Sequence, residues 1–216
     1  MYRPNAYVVD DAAILQETMR RRGFATIAAI VEGHIQFAYA PVIVDDSPKP
    51  LGSIRFHLSR ANPLAELRDV EMRVSFLGPD AYVSPDWYQG QGFVPTWNYI
   101  AVEAHGHARM LDNDGLSALL HDLSALHEER LRPKSPWTPD KISEERTAAL
   151  LKSIRGFVVN LETLQGKFKL SQDKPAADIA AVMAGLEARG DAASLAVARA
   201  MKEQWMTVVR ASTGSA

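Results

Sequence analysis

The chain is predicted to be mainly β with added helices, an α+β fold built on a closed or partly closed antiparallel barrel. Three observations lead there. Up to about Asp112, about six short runs rich in branched and aromatic residues are separated by Gly, Pro and Asp turn signals, as in small barrels. From Asp114 the apolar residues change to helical spacing. A strand pattern then returns between Gly156 and Gln172, before two alanine-rich helices.

The first element reads as a helix. Asp10 or Asp11 caps it, Ile14, Leu15 and Met19 form its apolar stripe, Arg20 to Arg22 complement the dipole of its last turn, and Gly23 ends it. Phe24 to Val31 and His34 to Tyr39 flank Glu32-Gly33 and read as a hairpin. Asp45 to Pro50 is a loop, and Leu51 to Leu58 is the next strand. Val70 to Leu77 alternates apolar and polar residues, Gly78-Pro79-Asp80 reads as a turn, and Ala81 to Val83 as a short strand. Gln89 to Gly92 is a flexible loop, and Thr96 to Glu103 begins a long strand with room to extend to Met110.

Leu116, Leu119, Leu120, Leu123, Leu126 and Leu131 make Asp114 to Arg130 an amphipathic helix. After a proline-rich connector, Thr138 and Pro139 are a cap and first-turn pair for a second helix reaching about Ile154. Gly156 to Leu164 is a strand, Gln165-Gly166 a turn, and Lys167 to Gln172 its return. Two helices follow, Pro175 to Arg189 and Asp191 to about Val209, hinged at Gly190. We read this as one domain over 1–210: barrel strands in 1–111, a helical insertion in 112–155, a returning strand in 156–172 and a helix pair in 173–210. Residues 211–216 are expected to be a flexible tail.

Composition narrows the function. The chain has 216 residues, 47% of them hydrophobic, and a formal charge of −2. It has no cysteine, which excludes disulfides, thiolate zinc, iron–sulfur clusters and a thiol nucleophile. Near-neutral charge argues against binding nucleic acid through bulk counterion release. No stretch approaches the roughly 18 apolar residues of a membrane span. Met1 to Glu17 has no apolar core of the signal-peptide kind, so a cytoplasmic protein with no membrane contact is expected.

Four segments crowd polar and aromatic residues together. They are His57-Leu-Ser-Arg60 with Asn62-Pro63, Tyr82-Val-Ser-Pro-Asp-Trp-Tyr88, Val94-Pro-Thr-Trp-Asn-Tyr99 and Lys167-Phe-Lys-Leu-Ser-Gln172. Cations and hydroxyls hold phosphate, indole and amide groups read a ring edge, and aromatic faces stack. That inventory suits a phosphorylated, flat heteroaromatic ligand, and equally suits aromatic turns with solvated charges.

Tyr82 to Tyr88, Val94 to Tyr99 and Lys169-Leu-Ser-Gln172, with the opening Met1-Tyr-Arg-Pro4, resemble the PaiB family of FMN-binding negative transcriptional regulators over Met1 to about Leu186. The resemblance implies an FMN-binding split β-barrel with helical C-terminal additions, related to pyridoxamine-phosphate oxidases and flavin reductases. It also implies a homodimer with FMN at the subunit interface. Leu58-Ser-Arg-Ala-Asn62 matches the phosphate-gripping pattern of such barrels, which nominates Ser59, Arg60 and Asn62. His57 is the favoured pocket histidine. Phe24 to Ile27 occupies the strand that lines the isoalloxazine, with Thr26 as a polar contact and Ile27 beside it. The resemblance makes Thr96, Trp97 and Asn98, and Lys169, Ser171 and Gln172, pocket walls, one of them from the partner subunit. Phe56 stands where many family members have glycine, and Ser59 where they have alanine.

Other clusters read more plainly. His105 and His107 lack a third metal ligand in view, so they are read as a strand edge and no metal is expected. His121 and His127 form no site on their own. Between Lys174 and Val209, Lys174, Arg189, Arg199 and Lys202 balance Asp178, Glu187, Asp191 and Glu203, so the terminal helices lack a recognition helix's basic face. Any DNA involvement is expected to be weak or indirect. Two functions compete: an FMN-dependent oxidoreductase whose chemistry resides in the cofactor, and a ligand-sensing regulator acting through a protein partner or DNA without catalysis. No acid–base pair is legible, so catalytic residues, substrate and electron donor stay open.

Overall fold

Local signals start each element where the side chains can satisfy its ends. In the computed structural model, which describes the backbone of residues 1–213 and the side chains of residues 1–206, a short strand β1 (Val8–Val9) precedes helix α1 (Ala12–Arg22). Asp11 caps α1 by accepting the N–H groups of Ala13 and Ile14, and Gly23 closes it at φ +64°, a conformation costly for a residue with a Cβ. Strands β2 (Phe24–Val31), β3 (His34–Pro41), β4 (Ile43–Asp45), β5 (Ser53–Ser59), β6 (Val70–Val83) and β7 (Thr96–Met110) follow. Then come α2 (Asn113–Glu129), α3 (Glu144–Leu151), β8 (Ile154–Lys169), α4 (Ala176–Arg189) and α5 (Ala192–Thr213). The strands form an antiparallel sheet in the order β3-β2-β6-β7-β8-β5-β4, with β1 on β8.

The chain divides into two compact units, and β6, β7 and β8 contribute residues to both. The hairpin unit holds Asp11–Phe76 and Glu103–Leu164. Its β2–β3 hairpin turns through Glu32 and Gly33, both at positive φ, the tight turn that matches strand twist. Register pairs Thr26 with Tyr39, Ala28 with Phe37 and Ile30 with Ile35. Ala25, Ile27, Ala38 and Ala40 turn inward and are buried. On β5, Phe56 lies opposite Phe157 of β8, and the two rings stack at 5.5 Å with neither exposed. Arg55, on the other face of β5, donates to both oxygens of Asp45 at 2.6 and 2.9 Å and to Asp122 of α2 at 2.9 Å. Leu116, Leu119 and Leu123 bury the inner stripe of α2.

The helix-pair unit holds Met1–Asp10, Leu77–Val102 and the residues from 165 on. β1 pairs Val8 with Lys167 and Val9 with Gly166. α4 carries Gly185 against the ring of Trp87, where a Cβ would lie 2.4 Å from the indole. The buried Asp178 carboxylate accepts the N–H of Gln89 at 2.7 Å. Together these contacts anchor the loop that follows β6.

Three expected boundaries move. Gly78-Pro79-Asp80 is part of β6 rather than a turn, because Gly78 lets Ile100 approach to 2.9 Å of where a Cβ would sit. The β2 ladder along β6 involves only Arg73–Ser75, so no bond from β2 is asked of Pro79. Gln165-Gly166 is likewise not a turn, because pairing with Val9 keeps β8 extended. The second helix starts at the Ser143 cap, whose Oγ accepts the N–H of Arg146; Pro139–Lys141 is a separate 3-10 turn. Of the expected flexible tail, 211–213 are helical as the end of α5, and 214–216 lie outside the described residues.

Candidate functional site

In the hairpin unit, β5 delivers its last residues into a tight turn. Asn62 N–H donates to Ser59 O at 2.9 Å, and Asn62 Oδ1 accepts the N–H of Leu64, capping the 3-10 turn Pro63–Glu66. Ser59 Oγ accepts the N–H of Ala61 at 3.3 Å and keeps its own proton to donate. Arg60 is exposed, and among the described residues no carboxylate lies within 4 Å of its guanidinium. A cation without a counter-ion beside an available hydroxyl is what a phosphate monoester needs. His57 shares its strand face with Arg55 and Ser59, opposite Gly156. Its Nδ1 is buried with no hydrogen-bond partner among the described residues, and burial lowers the imidazole pKa from its ordinary 6.5, which favours the neutral form.

Thr26 lies on the outer face of β2, paired with Tyr39 on one side and Ser75 on the other. Ile27 turns the opposite way and is fully buried, so its side chain serves the core. Phe56 is also fully buried against Phe157, so its bulk goes into the interior.

The helix-pair unit gathers the second group. Lys169 Nζ donates to Thr96 Oγ1 and, at 3.0 Å, to Trp97 O. Burial, then the charges of Lys167 and Lys174, hold its pKa below the usual lysine value. Asn98 and Ser171 turn inward instead: Asn98 Nδ2 donates to Ser171 Oγ at 2.9 Å and reaches Met201 Sδ at 3.5 Å, and both residues are buried. Gln172 staples the end of β8, accepting Leu170 N–H and donating to Phe168 O. These three hold the local backbone in place. Lys167 sits over the rings of Tyr2 and Tyr99 at 5.5 and 5.3 Å. Tyr7, half-buried and beside Asp173, has its pKa pushed up to about 12.

One feature of the hairpin unit escaped the sequence. His107 Nδ1 lies 2.7 Å from Glu162 Oε1, at a cleft of about 340 Å³ that Asp69, Arg109, Asn160 and Leu161 also line. His105 Nε2 lies 2.8 Å from Glu71. The His-x-His alternation was visible, but Glu162 is 55 residues from His107 and only strand pairing brings it there. Among the described residues no cluster of three or more ligating side chains could hold a metal. The Glu162 carboxylate raises the His107 pKa, and His107 lowers that of Glu162. The raised histidine contributes fully below its ordinary pKa, and its contribution is lost as pH rises through the raised value. The depressed Glu162 loses its contribution as pH falls through its own lowered value, so the pair is complete between the two. Histidine proton NMR is expected to show His107 titrating above 6.5, and Glu162→Gln to return it toward 6.5. An unchanged His107 titration in Glu162→Gln would refute the pairing.

Comparison with known proteins decides the family. The pattern described as "Putative FMN-binding domain" matches residues 1–163, three-quarters of the chain. The chain belongs to this FMN-binding family. A relative from Bacillus subtilis, "Protease synthase and sporulation protein PAI 2", is 30% identical over 189 residues, covering 87% of this chain and 89% of its own. Among solved structures, the flavocytochrome Anf3 of Azotobacter vinelandii superposes with a TM-score of 0.54 at 15% identity, covering 78% of this chain and 72% of its own. The FAD and heme binding protein of Mycobacterium smegmatis does so at 0.52 and 18% identity, covering 81% and 80%. At such identities the likeness concerns the fold, which is the flavin-type split barrel, α+β in class. FMN is the cofactor of the family, and the Ser59–Asn62 turn fits it: a hydroxyl donor, a guanidinium with no carboxylate partner among the described residues and, nearby on β5, an imidazole with one nitrogen unpartnered among the described residues. Among the described residues no helix is long and apolar enough to cross a membrane.

Proposed function

We propose that the protein is a cytoplasmic homodimeric flavoprotein that holds FMN by its phosphate at Ser59 and Arg60 and uses it for redox chemistry. The carrying observation is Arg60, an exposed guanidinium with no carboxylate within 4 Å among the described residues, in a turn shaped by Asn62. Asn62 positions the turn, and Thr26 offers a hydroxyl on the open face of β2. His57, in its neutral form, donates or accepts one hydrogen bond without adding charge. When bound, FMN supplies hydride or single-electron transfer.

The dimer reading is supported by the outer face of the β2–β3 hairpin. Phe24, Ile30, Ile35, Phe37 and Tyr39 are each at least half exposed there. A contiguous apolar face of this kind marks an interaction surface in a soluble protein. A second copy covers it in this reading, with the flavin at the shared edge. The test is a visible absorption spectrum with added FMN, followed by anaerobic NADH or NADPH, alongside light scattering. Expected results are flavin bands shifted by the protein, bleaching by one nicotinamide, and a dimer mass. Phe37→Asp is expected to lower both the dimer fraction and flavin occupancy. Protein that stays colourless with excess FMN would sink the reading.

A second reading is favoured by the B. subtilis relative, whose name ties it to protease synthesis and sporulation. In it, FMN or another ligand biases two states that a protein partner or DNA distinguishes, without catalysis. Flavin binding without reduction by either nicotinamide would favour this reading.

A further inference from the structure

In the hairpin unit, the strand faces that carry His105 and His107 pair most of their charges. Glu71 lies 2.8 Å from His105 and 3.6 Å from Arg73, and Glu162 lies 2.7 Å from His107. Two charges of opposite sign are left over. Asp69, just before β6, and Arg109, near the end of β7, both line the cleft of about 340 Å³ beside His107. Among the described residues, neither has an oppositely charged group within 4 Å. Asp69 and Arg109 therefore border one cavity without reaching each other.

The charge balance of the cleft narrows what it can hold. His107 and Glu162 face each other at 2.7 Å and supply their own counter-charges. What remains is one guanidinium and one carboxylate. A simple anion would pair with Arg109 but meet the field of Asp69 and Glu162. A simple cation would pair with Asp69 and leave Arg109 opposing it. A ligand with one charge of each sign satisfies both poles and adds no net charge. Asn160 lines the same cleft, and its amide can donate to one pole and accept from the other. Asp69 stands at φ +48°, a left-handed conformation uncommon outside glycine and found disproportionately at ligand sites. The volume is at the small end of the range for small-molecule pockets, about 300–1,000 Å³, which limits the ligand's size.

We infer that this cleft is a binding site for a small zwitterion, an α-amino acid, whose carboxylate pairs with Arg109 and whose ammonium pairs with Asp69. The planar fork of an arginine matches a carboxylate with two parallel hydrogen bonds, and an ammonium donates to a carboxylate from any of its three protons. The site is separate from the phosphate turn. On the β5–β8 ladder Asn160 pairs with Ser53, whereas Ile154 pairs with Ser59. Six residues of β8 separate those two levels, about 20 Å at about 3.3 Å per residue. The inference goes beyond the flavin reading and does not depend on it.

Histidine proton NMR of the full chain at one fixed pH, with and without FMN, tests it, because His107 lines the cleft and reports occupancy. The probes are L-alanine and L-leucine. Propionate and ethylamine are the controls, each being alanine without one of its two charged groups. The expected result is a saturable shift of the His107 ring signal with at least one amino acid, with both controls at least about tenfold weaker. Asp69→Asn, which keeps the side chain's shape and tolerates the positive φ, and Arg109→Gln are each expected to weaken binding about tenfold. Arg109→Lys keeps the charge without the fork and is expected to fall between Arg109→Gln and the parent. Both residues are exposed, so circular dichroism and FMN affinity are expected to stay as in the parent. Arg60→Ala is expected to lose FMN while keeping the amino acid, which separates failure of one reading from failure of the other. No saturable shift at millimolar amino acid, a control that binds as tightly, Asp69→Asn and Arg109→Gln variants that bind like the parent, or displacement of the amino acid by FMN would each overturn the inference.

Discussion

Arg60→Ala is expected to weaken FMN binding by about ten- to a hundredfold, read as a shift in the midpoint of flavin-fluorescence quenching. The magnitude follows from a hydrogen bond to a charged group, about 1.5–3 kcal/mol, where about 1.4 kcal/mol is a factor of ten. The side chain is exposed, and no described carboxylate pairs with it, so its removal leaves the turn intact. Ser59 and Asn62 still exchange their backbone bond, and Asn62 still caps Leu64. Arg60→Lys keeps the charge but loses the planar fork and is expected to fall between the two. Raising the salt is expected to narrow the gap between parent and Arg60→Ala, because the turn is solvent-exposed and its charge is screened. Equal FMN affinity in parent and variant would remove the phosphate from this turn.

Phe56→Ala is expected to destabilise the protein by about 3–5 kcal/mol in urea unfolding, the usual cost of truncating a buried phenylalanine. Phe56 has no exposed surface, and Phe157, its cross-strand partner, is equally buried. Deleting one ring leaves a cavity lined by the other and forfeits their stacking. Phe56→Leu is expected to be much milder, since it keeps most of the volume. Phe56→Gly, which installs the residue common in the family, is expected to cost at least as much as alanine, because glycine also adds backbone entropy to the unfolded chain. It is not expected to tighten FMN binding. A glycine variant as stable as the parent would show that the pocket, rather than the core, governs this position.

The legible parts of this protein were those encoded within a few residues of chain. Asp11 and Gly23 bracket α1, Glu32-Gly33 turns the hairpin, and Gly190 at φ +74° ends α4. Each signal is a local competition between a side chain or a free φ and the backbone's own bonds, so sequence is sufficient. The misread turns failed for the opposite reason. Gly78-Pro79-Asp80 and Gln165-Gly166 have turn chemistry, but Ile100 and Val9 hold them extended from elsewhere in the chain. Among the site residues, motif resemblance nominated segments without saying which way each side chain points. Alternation along a strand sends Trp97 out and Asn98 in, and Thr26 out and Ile27 in.

By itself, then, the sequence determined the fold class through strand period and cap chemistry, and pointed to the family and its cofactor through the resemblance its ordered motifs carry. It also determined that any redox chemistry comes from a bound group, since the chain has no thiol. Only the tertiary structure decided that Phe56 belongs to the core and that Arg60 meets no described carboxylate. It also decided that Lys167 is held between Tyr2 and Tyr99, and that Glu162 meets His107. Those facts depend on which residues distant in sequence share a strand face, and register alone sets that, since a one-residue slip reverses every side chain.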